Sequence, residues 1–434
     1  MNSPIIRSST KYVVLPLLFS VFFTLLNAQQ TVTIQECYRL AEENYPQIRQ
    51  YDLIRKAEQY DLSNAGKSWL PQFVLNAKAT YQSDVTKLPV DFSQLPVEIT
   101  VPTLSKDQYQ VMAELNQTIW DGGASSSAKQ LTKSAAETER KQLESDLYSL
   151  RERINQLYFG CLLQADLLLQ NRLLQKELQI NLERVQAFIA NGMANESDKE
   201  LLEVELLNAS QRETEIDASR LAYLRMLSYF IGYKEPGKIQ LEKLVVPAVD
   251  FSWSIKRPEL SVFEAKSIYA DLQLKAITAG LMPRFGAFVQ AGYGRPGLNM
   301  LEDEFSPFYV AGVRMSWNLG RLYTQKNDRR KVGTLQRQID VGRETFLFNT
   351  HMQLIQQQEE VQKMVRIMQS DDEIIRLRTN VKKAAEVKLS NGVIAVSDLI
   401  REMNAEDMAR QAAMIHRTQY LMAIYQIRYI TNNE

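Results

Sequence analysis

The sequence predicts a mainly α-helical chain with membrane β-strands, built as a duplicated unit of strand, strand and long helical hairpin. Three observations predict it. Residues 103–235 and 308–434 contain no proline. Short motifs recur in the same order about 200 residues apart. Four segments alternate apolar with polar residues, and three of them bound the apolar face with aromatics.

Taken in order, the chain opens with Arg7 and Lys11, an apolar stretch from Tyr12 to Leu26, and Asn27-Ala28-Gln29. A basic, then apolar, then small-residue pattern reads as a secretory signal peptide over residues 1–28. The apolar run is shorter than the about 20 residues a membrane helix needs, and Pro16 interrupts it. The mature chain is therefore expected to begin at Gln29 and to work beyond the inner membrane.

Composition narrows the function before any motif is read. The 434 residues carry 51 basic and 51 acidic side chains, which argues against a nucleic-acid partner. There are two histidines, His351 and His416, far apart in sequence, and two cysteines, Cys37 and Cys161, without metal-ligand spacing. Each cysteine sits among helical apolar positions and reads as a small buried hydrophobe. No catalytic residues, metal site or cofactor are expected, so an enzyme is not.

The proline-free runs permit very long helices, because proline removes a helix hydrogen bond and clashes with the preceding turn. Leu143, Leu147, Leu150, Ile154, Leu157 and Cys161 follow coiled-coil steps of four and three. Leu178, Leu182, Val185 and Ile189 continue the stripe. Each run is interrupted once, at Asn191-Gly192 and at Asn391-Gly392, where glycine can take the left-handed conformation that ends a helix. Ser197 and Ser397 stand near the start of each returning helix. Each run thus reads as one helix of nearly 70 residues, a tight turn at 191–195 or 391–395, and a shorter helix back. At 1.5 Å per residue such an arm spans roughly 100 Å.

Both breaks belong to a repeat. Asn191-Gly192 and Ser197-Asp198 recur at an offset of 200 as Asn391-Gly392 and Ser397-Asp398. Trp120-Asp121-Gly122-Gly123 is echoed by Trp317-Asn318-Leu319-Gly320, Leu70-Pro71 by Met282-Pro283, and Tyr45-Pro46 by Arg257-Pro258. A period this long is a duplicated domain. The organisation read from it is a first repeat over 29–232, a linker over 233–257 and a second repeat over 258–434. The linker is expected to pack around the outside midway along the helices.

The strands fall at 72–82, 108–120, 284–294 and 307–318. Phe73/Tyr81, Phe285/Tyr293 and Tyr309/Trp317 stand eight residues apart on apolar faces, and Tyr109 joins them. Eight tilted steps cover about 20 Å of membrane normal, and aromatic girdles flanking such a band mark outer-membrane barrel strands. The opposite faces carry Asn76, Lys78, Thr80, Glu114, Asn116 and Arg314, a wall suited to water. Trp120 falls on the polar phase of its strand, which either a bulge or the strand's end would explain. Four strands cannot close a barrel, since the smallest bacterial barrels have eight; three copies would supply twelve.

A secreted duplicated chain with two strand pairs, two long helical hairpins and these anchors resembles the TolC family of outer-membrane efflux proteins. The resemblance runs from about residue 32 to residue 431. It rests on Asn44-Tyr45-Pro46, Leu70-Pro71, Asp121-Gly122-Gly123, and Gly392 six residues before Asp398. It implies a homotrimer in the Gram-negative outer membrane, a twelve-stranded barrel in lipid continuous with an α-helical periplasmic tunnel. It also implies a passive exit duct for a tripartite efflux or type I secretion system. An inner-membrane pump of the RND or ABC type and a periplasmic adaptor would complete it. By the same resemblance the adaptor docks at the hairpin tips, including Asn191, Gly192, Asn391 and Gly392. A periplasmic gate is implied at Asp198 and Asp398, with Arg401 and Glu402 where the best-known pattern differs. Either aspartate could equally stabilise a helix N-terminus through the macrodipole. The competing reading, a structural periplasmic coiled coil or surface adhesin, accounts for the helices but not for the girdled strands. The cargo is not legible, nor are the particular pump and adaptor.

Overall fold

The computed structural model describes residues 31–86, 104–236, 239–244 and 254–433. The expected signal peptide lies outside them, as does part of the linker. The first repeat contains β1 (Thr31–Val32), α1 (Ile34–Asn44), a 3₁₀ turn (Pro46–Arg49), α2 (Gln50–Lys67), β2 (Gln72–Tyr81) and β3 (Asp107–Trp120). It continues with α3 (Ala124–Tyr148), α4 (Leu150–Ala190) and α5 (Glu196–Ile231). After β4 (Gln240–Leu241), the second repeat contains α6 (Pro258–Ala279), β5 (Arg284–Arg295), β6 (Ser306–Ser316), α7 (Arg321–Ser390) and α8 (Val396–Thr431). Pro46 and Pro258 each open a helical element, where a missing N–H costs nothing.

The second arm, α7, is one unbroken helix of 70 residues, about 105 Å long. The first arm follows the same course as α3 and α4, with one local irregularity at Ser149, whose backbone stays right-handed helical at φ −60° and ψ −19°. The Ser149 hydroxyl donates to the Asp146 carbonyl at 2.7 Å, competing locally with the helix ladder. The irregularity also falls where the helix changes partners. α3 packs on α2 and α6, whereas α4 packs on α1, α5 and α8. At this level Arg151 lies over the rings of Tyr38 and Tyr148, and buried Arg257 lies over those of Tyr148 and Tyr429. The Tyr148 hydroxyl donates to the Tyr429 carbonyl at 2.6 Å. These stacks join the ends of α1, α3, α6 and α8.

The helices form a row: α5 on α4, α4 on α8, α8 on α7. Two apolar cores hold it. One lies at mid-length and contains the coiled-coil positions Leu143 to Leu157, with Cys37 and Tyr158. The other lies toward the tips, with Leu178, Leu182 and Val185 facing Leu389, Leu399 and Met403. Both cysteines are buried, and burial pushes their thiols up to about 12. The linker enters the first core's edge: β4 pairs parallel with β1, and Tyr158 donates to the Glu242 carbonyl at 2.8 Å.

The four long strands form one antiparallel sheet in the order β2-β3-β5-β6. The last strand ends at Ser316, so Trp317 lies just beyond it, its indole N–H donating to the Leu281 carbonyl at 2.9 Å. A bulge between Thr118 and Trp120 settles the phase of Trp120. The slip of one residue sets it opposite Phe285, with ring centroids 5.8 Å apart.

Candidate functional site

One face of the sheet carries a continuous band of apolar side chains and leaves them uncovered. Register places Ala79 opposite Tyr109, Val111 opposite Tyr293 and Ala291 opposite Tyr309. Tyr81, Tyr109, Tyr293 and Tyr309 therefore form a row at the end remote from the helices. Phe73, Phe285 and Trp317 lie at the helical end, together with Trp120, which the alternation alone does not assign. All are exposed, as are Leu75, Val111, Leu115, Val289 and Val313 between them; Tyr309 is 78% and Val313 82% accessible. A face this apolar and this open needs a non-aqueous neighbour.

Across the sheet, Asn76, Lys78, Thr80, Glu114, Asn116 and Arg314 share the second face, as expected. That face is more mixed than the alternation suggested, because Val74, Met112, Phe288 and Phe308 also lie on it. Glu114 accepts from Gln290 at 3.1 Å and pairs with Arg314 at 3.5 Å, while the Arg314 guanidinium lies 4.6 Å from the centre of the Phe288 ring. β2 and β6 are the sheet's edges, with no further strand on either among the described residues.

The helical shaft carries a buried polar layer that the sequence reading missed. Lys382 of α7 and Glu406 of α8 are ion-paired at 2.5 Å, with side chains 8% and 4% exposed. Glu406 also accepts from Thr379 and Arg410, both at 2.6 Å, and Lys382 reaches Glu177 of α4 at 2.9 Å. Burial alone would raise the Glu406 carboxyl, but the hydrogen bonds from Lys382, Thr379 and Arg410 outweigh it and bring it down to about 2. Next to it, Asp407 points the other way, accepting from Gln170 of α4 at 3.0 Å. Burial holds its carboxyl above the usual range. The signal was present: Lys382 shares the buried phase of Ala385 and Leu389, and Glu406 follows Met403 by three.

At the tips, Asn191-Gly192 and Asn391-Gly392 end their helices in the same way. Gly192 and Gly392 adopt φ of 68° and 69°. The N–H of Met193 reaches the Phe188 carbonyl at 2.8 Å, and that of Val393 the Lys388 carbonyl at 2.9 Å. Asp198 and Asp398 then stand third in the returning helices, each accepting from the backbone N–H of the cap residue, at 3.1 Å from Asn195 and 3.3 Å from Ala395. The helix-terminus role is thus present in both. Asp398 further pairs with Arg401 at 3.1 Å, Arg401 with Glu402 at 3.3 Å, and Glu402 with Arg378 of α7 at 3.6 Å. Asp198 has no comparable chain, because Leu201 and Leu202 occupy the matching positions.

Residues 37–232 match the family model of the outer membrane efflux proteins. No curated protein sequence matches the chain. Among solved structures, the chain is similar to CusC with a TM-score of 0.66 at 11% identity, covering 98% of both chains. It is similar to the Neisseria gonorrhoeae MtrE outer membrane channel with a TM-score of 0.64 at 13% identity, covering 92% of this chain and 89% of that one. The Campylobacter jejuni CmeC outer membrane channel gives 0.63 at 12% identity, covering 92% and 85%. The match spans the first repeat, and the second repeats its anchors and its folded elements in order. The first repeat thus matches the outer membrane efflux protein family, and the chain has the fold of the outer membrane channels to which it is similar.

Proposed function

We propose that three copies assemble into a passive exit duct, a twelve-stranded barrel in the outer membrane above a helical tunnel. The observation that carries this reading is that the single chain is unfinished at the same two sides throughout its length. In the sheet, β2 and β6 offer unpaired edges, which a neighbouring copy can close. In the shaft, the two ends of the helical row each carry a second apolar stripe opposite the buried one. On α7 it is formed by Val341, Phe348, Met352, Ile355, Ile374, Leu377 and Val381, all exposed. On α5 it is formed by Leu201, Val204, Leu207, Met226 and Tyr229, also exposed. A helix apolar on two faces has two neighbours, and α7 of one copy against α5 of the next supplies the missing one.

The apolar sheet face, with its aromatic rows, then meets lipid, and the mixed face lines water. The duct carries no energy source of its own. It serves a tripartite efflux or type I secretion system with an inner-membrane pump and a periplasmic adaptor, the latter at Asn191–Asn195 and Asn391–Ala395. The gate is proposed at the Asp398, Arg401 and Glu402 chain, with Asp198 beside it. Three copies of Asp398 around one axis repel one another and attract cations.

Single-channel conductance of the purified protein in a planar bilayer tests the reading. A small conductance that rises in Asp398→Ala is expected. Conductance unchanged in the variant removes Asp398 from the gate. A monodisperse elongated monomer that neither conducts nor enters outer-membrane fractions overturns the duct itself.

A further inference from the structure

We propose that the first three turns of α7 form a basic collar that binds the anionic phospholipid headgroups of the leaflet facing the periplasm. The inference rests on the transmembrane reading of the sheet. Phe73, Trp120, Phe285 and Trp317 mark the helical end of the apolar band, and α7 begins at Arg321, just beyond Trp317. Its first eleven residues carry five basic side chains, Arg321, Lys326, Arg329, Arg330 and Lys331, against one acid, Asp328. At 1.5 Å per residue they span about 15 Å. That is the depth of a headgroup layer of roughly 5–7 Å followed by one Debye length of about 8 Å. Lys67 at the end of α2 and Lys129 near the start of α3 bring further positive charge to the same level.

The charges are segregated and unpaired. The chain as a whole balances its acids and bases. Lower on the same helix, Lys363 pairs with Glu360 at 2.6 Å and Arg376 with Glu373 at 2.5 Å. Among the described residues, none of the five collar side chains has an ion pair. Arg321 and Arg329 donate to neutral groups of α6, the Gly280 carbonyl at 3.0 Å and the Thr278 hydroxyl at 3.1 Å. Lys326, Arg330 and Lys331 are exposed. Like charges three and four residues apart repel along a helix, and an anionic surface relieves that repulsion. Charge also stands on both flanks. Tyr323 continues the exposed stripe of Val341 and Phe348, and at 100° per residue Lys326 and Lys331 fall on opposite sides of it. Lys331 and Arg321 line the groove between α6 and α7, whereas Lys326 and Arg329 take the other flank. Whichever flank of the tunnel wall faces outward, it presents a lysine beneath the membrane.

Native tryptophans report on this level, because Trp69, Trp120 and Trp317 all lie exposed at the helical end of the sheet. The full chain carrying Trp253→Phe is reconstituted in phosphatidylcholine brominated near the headgroup, diluted with unlabelled phosphatidylglycerol or unlabelled phosphatidylcholine. Phosphatidylglycerol should relieve the quenching with an apparent preference of roughly fivefold over phosphatidylcholine, the factor for one basic residue near a charged surface. The preference should shrink toward one at about 1 M salt, where the Debye length is about 3 Å. Lys326→Gln combined with Lys331→Gln should abolish it. Both side chains are exposed and free of ion pairs, so the variant should keep its circular dichroism and heat-modifiable migration. Of the two single variants, the one that loses the preference identifies the flank facing lipid. Equal relief by the two lipids, or a preference that the double variant keeps, overturns the collar. Emission that brominated lipid does not quench at all sinks the transmembrane reading itself, and the collar with it.

Discussion

Lys382→Leu is the most informative single change in the shaft, because the chain contains its own control. At the offset of 200 that relates the hairpins, Lys382 and Glu406 correspond to Leu182 and Leu206. The same layer is therefore apolar in one hairpin and ionic in the other. Bringing the Glu406 carboxyl from 4.5 to about 2 corresponds to roughly 3 kcal/mol in favour of its ionised form. Breaking one partner of a buried pair costs about 3–5 kcal/mol. The lower figure applies here, because Thr379 and Arg410 remain on Glu406. At about 2–4 °C per kcal/mol, Lys382→Leu should lower the midpoint of helix melting, followed by circular dichroism, by roughly 6–12 °C. Adding Glu406→Leu recreates the apolar layer of the first hairpin. Arg410 and Glu177 are partly exposed and can turn to water. The double variant should recover most of the loss, giving a coupling of about 3 kcal/mol, at the upper end of the usual range. The pH dependence has a definite sign. The folded carboxyl is depressed, so the stabilisation is complete above about pH 4.5 and is lost as pH falls toward 2. Additive losses in the double variant, or equal acid sensitivity with and without Glu406, would refute the reasoning.

Other expectations are simpler to check. A Cβ on Gly122 would stand 2.4 Å from Met282 Cβ, whereas one on Gly123 would meet nothing within 4 Å; both have positive φ. Gly122→Ala should therefore destabilise the strand-to-helix junction well beyond the about 1–2 kcal/mol of backbone strain expected for Gly123→Ala, read as yield of folded protein and melting midpoint. Val313→Arg on the outward face should cost about 2–4 kcal/mol of membrane insertion, while Val310→Arg on the opposite face should leave heat-modifiable migration intact. Asp121 accepts from Gly123 at 2.9 Å and from Ser125 at 2.7 Å; Asp121→Ala should cost about 1 kcal/mol at the start of α3, with Asp121→Asn retaining most of it.

Features governed by local periodicity were legible in the sequence. The proline-free runs, the Asn-Gly breaks and the two-residue alternation each express one backbone geometry, so the hairpins, the tips and both faces of the sheet followed from them. What escaped depends on neighbours brought from a distance. The irregularity at Ser149 falls where the helix changes packing partners, with no proline or glycine beside it to mark the place. Trp120 needed the bulge, which only the pairing with β5 defines. Lys382 and Glu406 are buried by the meeting of α7 and α8 with α4, which the sequence alone does not bring together, although their helical phase pointed inward.

That last omission bears on what duplication has done to the shaft. Across the two hairpins the backbone is nearly the same, down to the glycine φ angles and the aspartate at the third helical position. The side chains facing one another are not. Leu178 and Leu202, both buried, correspond to Arg378 and Glu402, which pair across α7 and α8 at 3.6 Å. One turn further, Leu182 and Leu206 correspond to Lys382 and Glu406. Two successive layers are thus closed by leucine in α4–α5 and by charge in α7–α8. Apolar layers lose little to salt or mild acid, while ion pairs are weakened by both, most at the exposed Arg378 end. The protection of backbone amides against exchange, taken relative to the intrinsic rate at each pH, should therefore fall in α7–α8 before α4–α5 as pH drops below about 4.5. Equal loss of protection in both hairpins would show that their closure does not depend on which chemistry fills these layers.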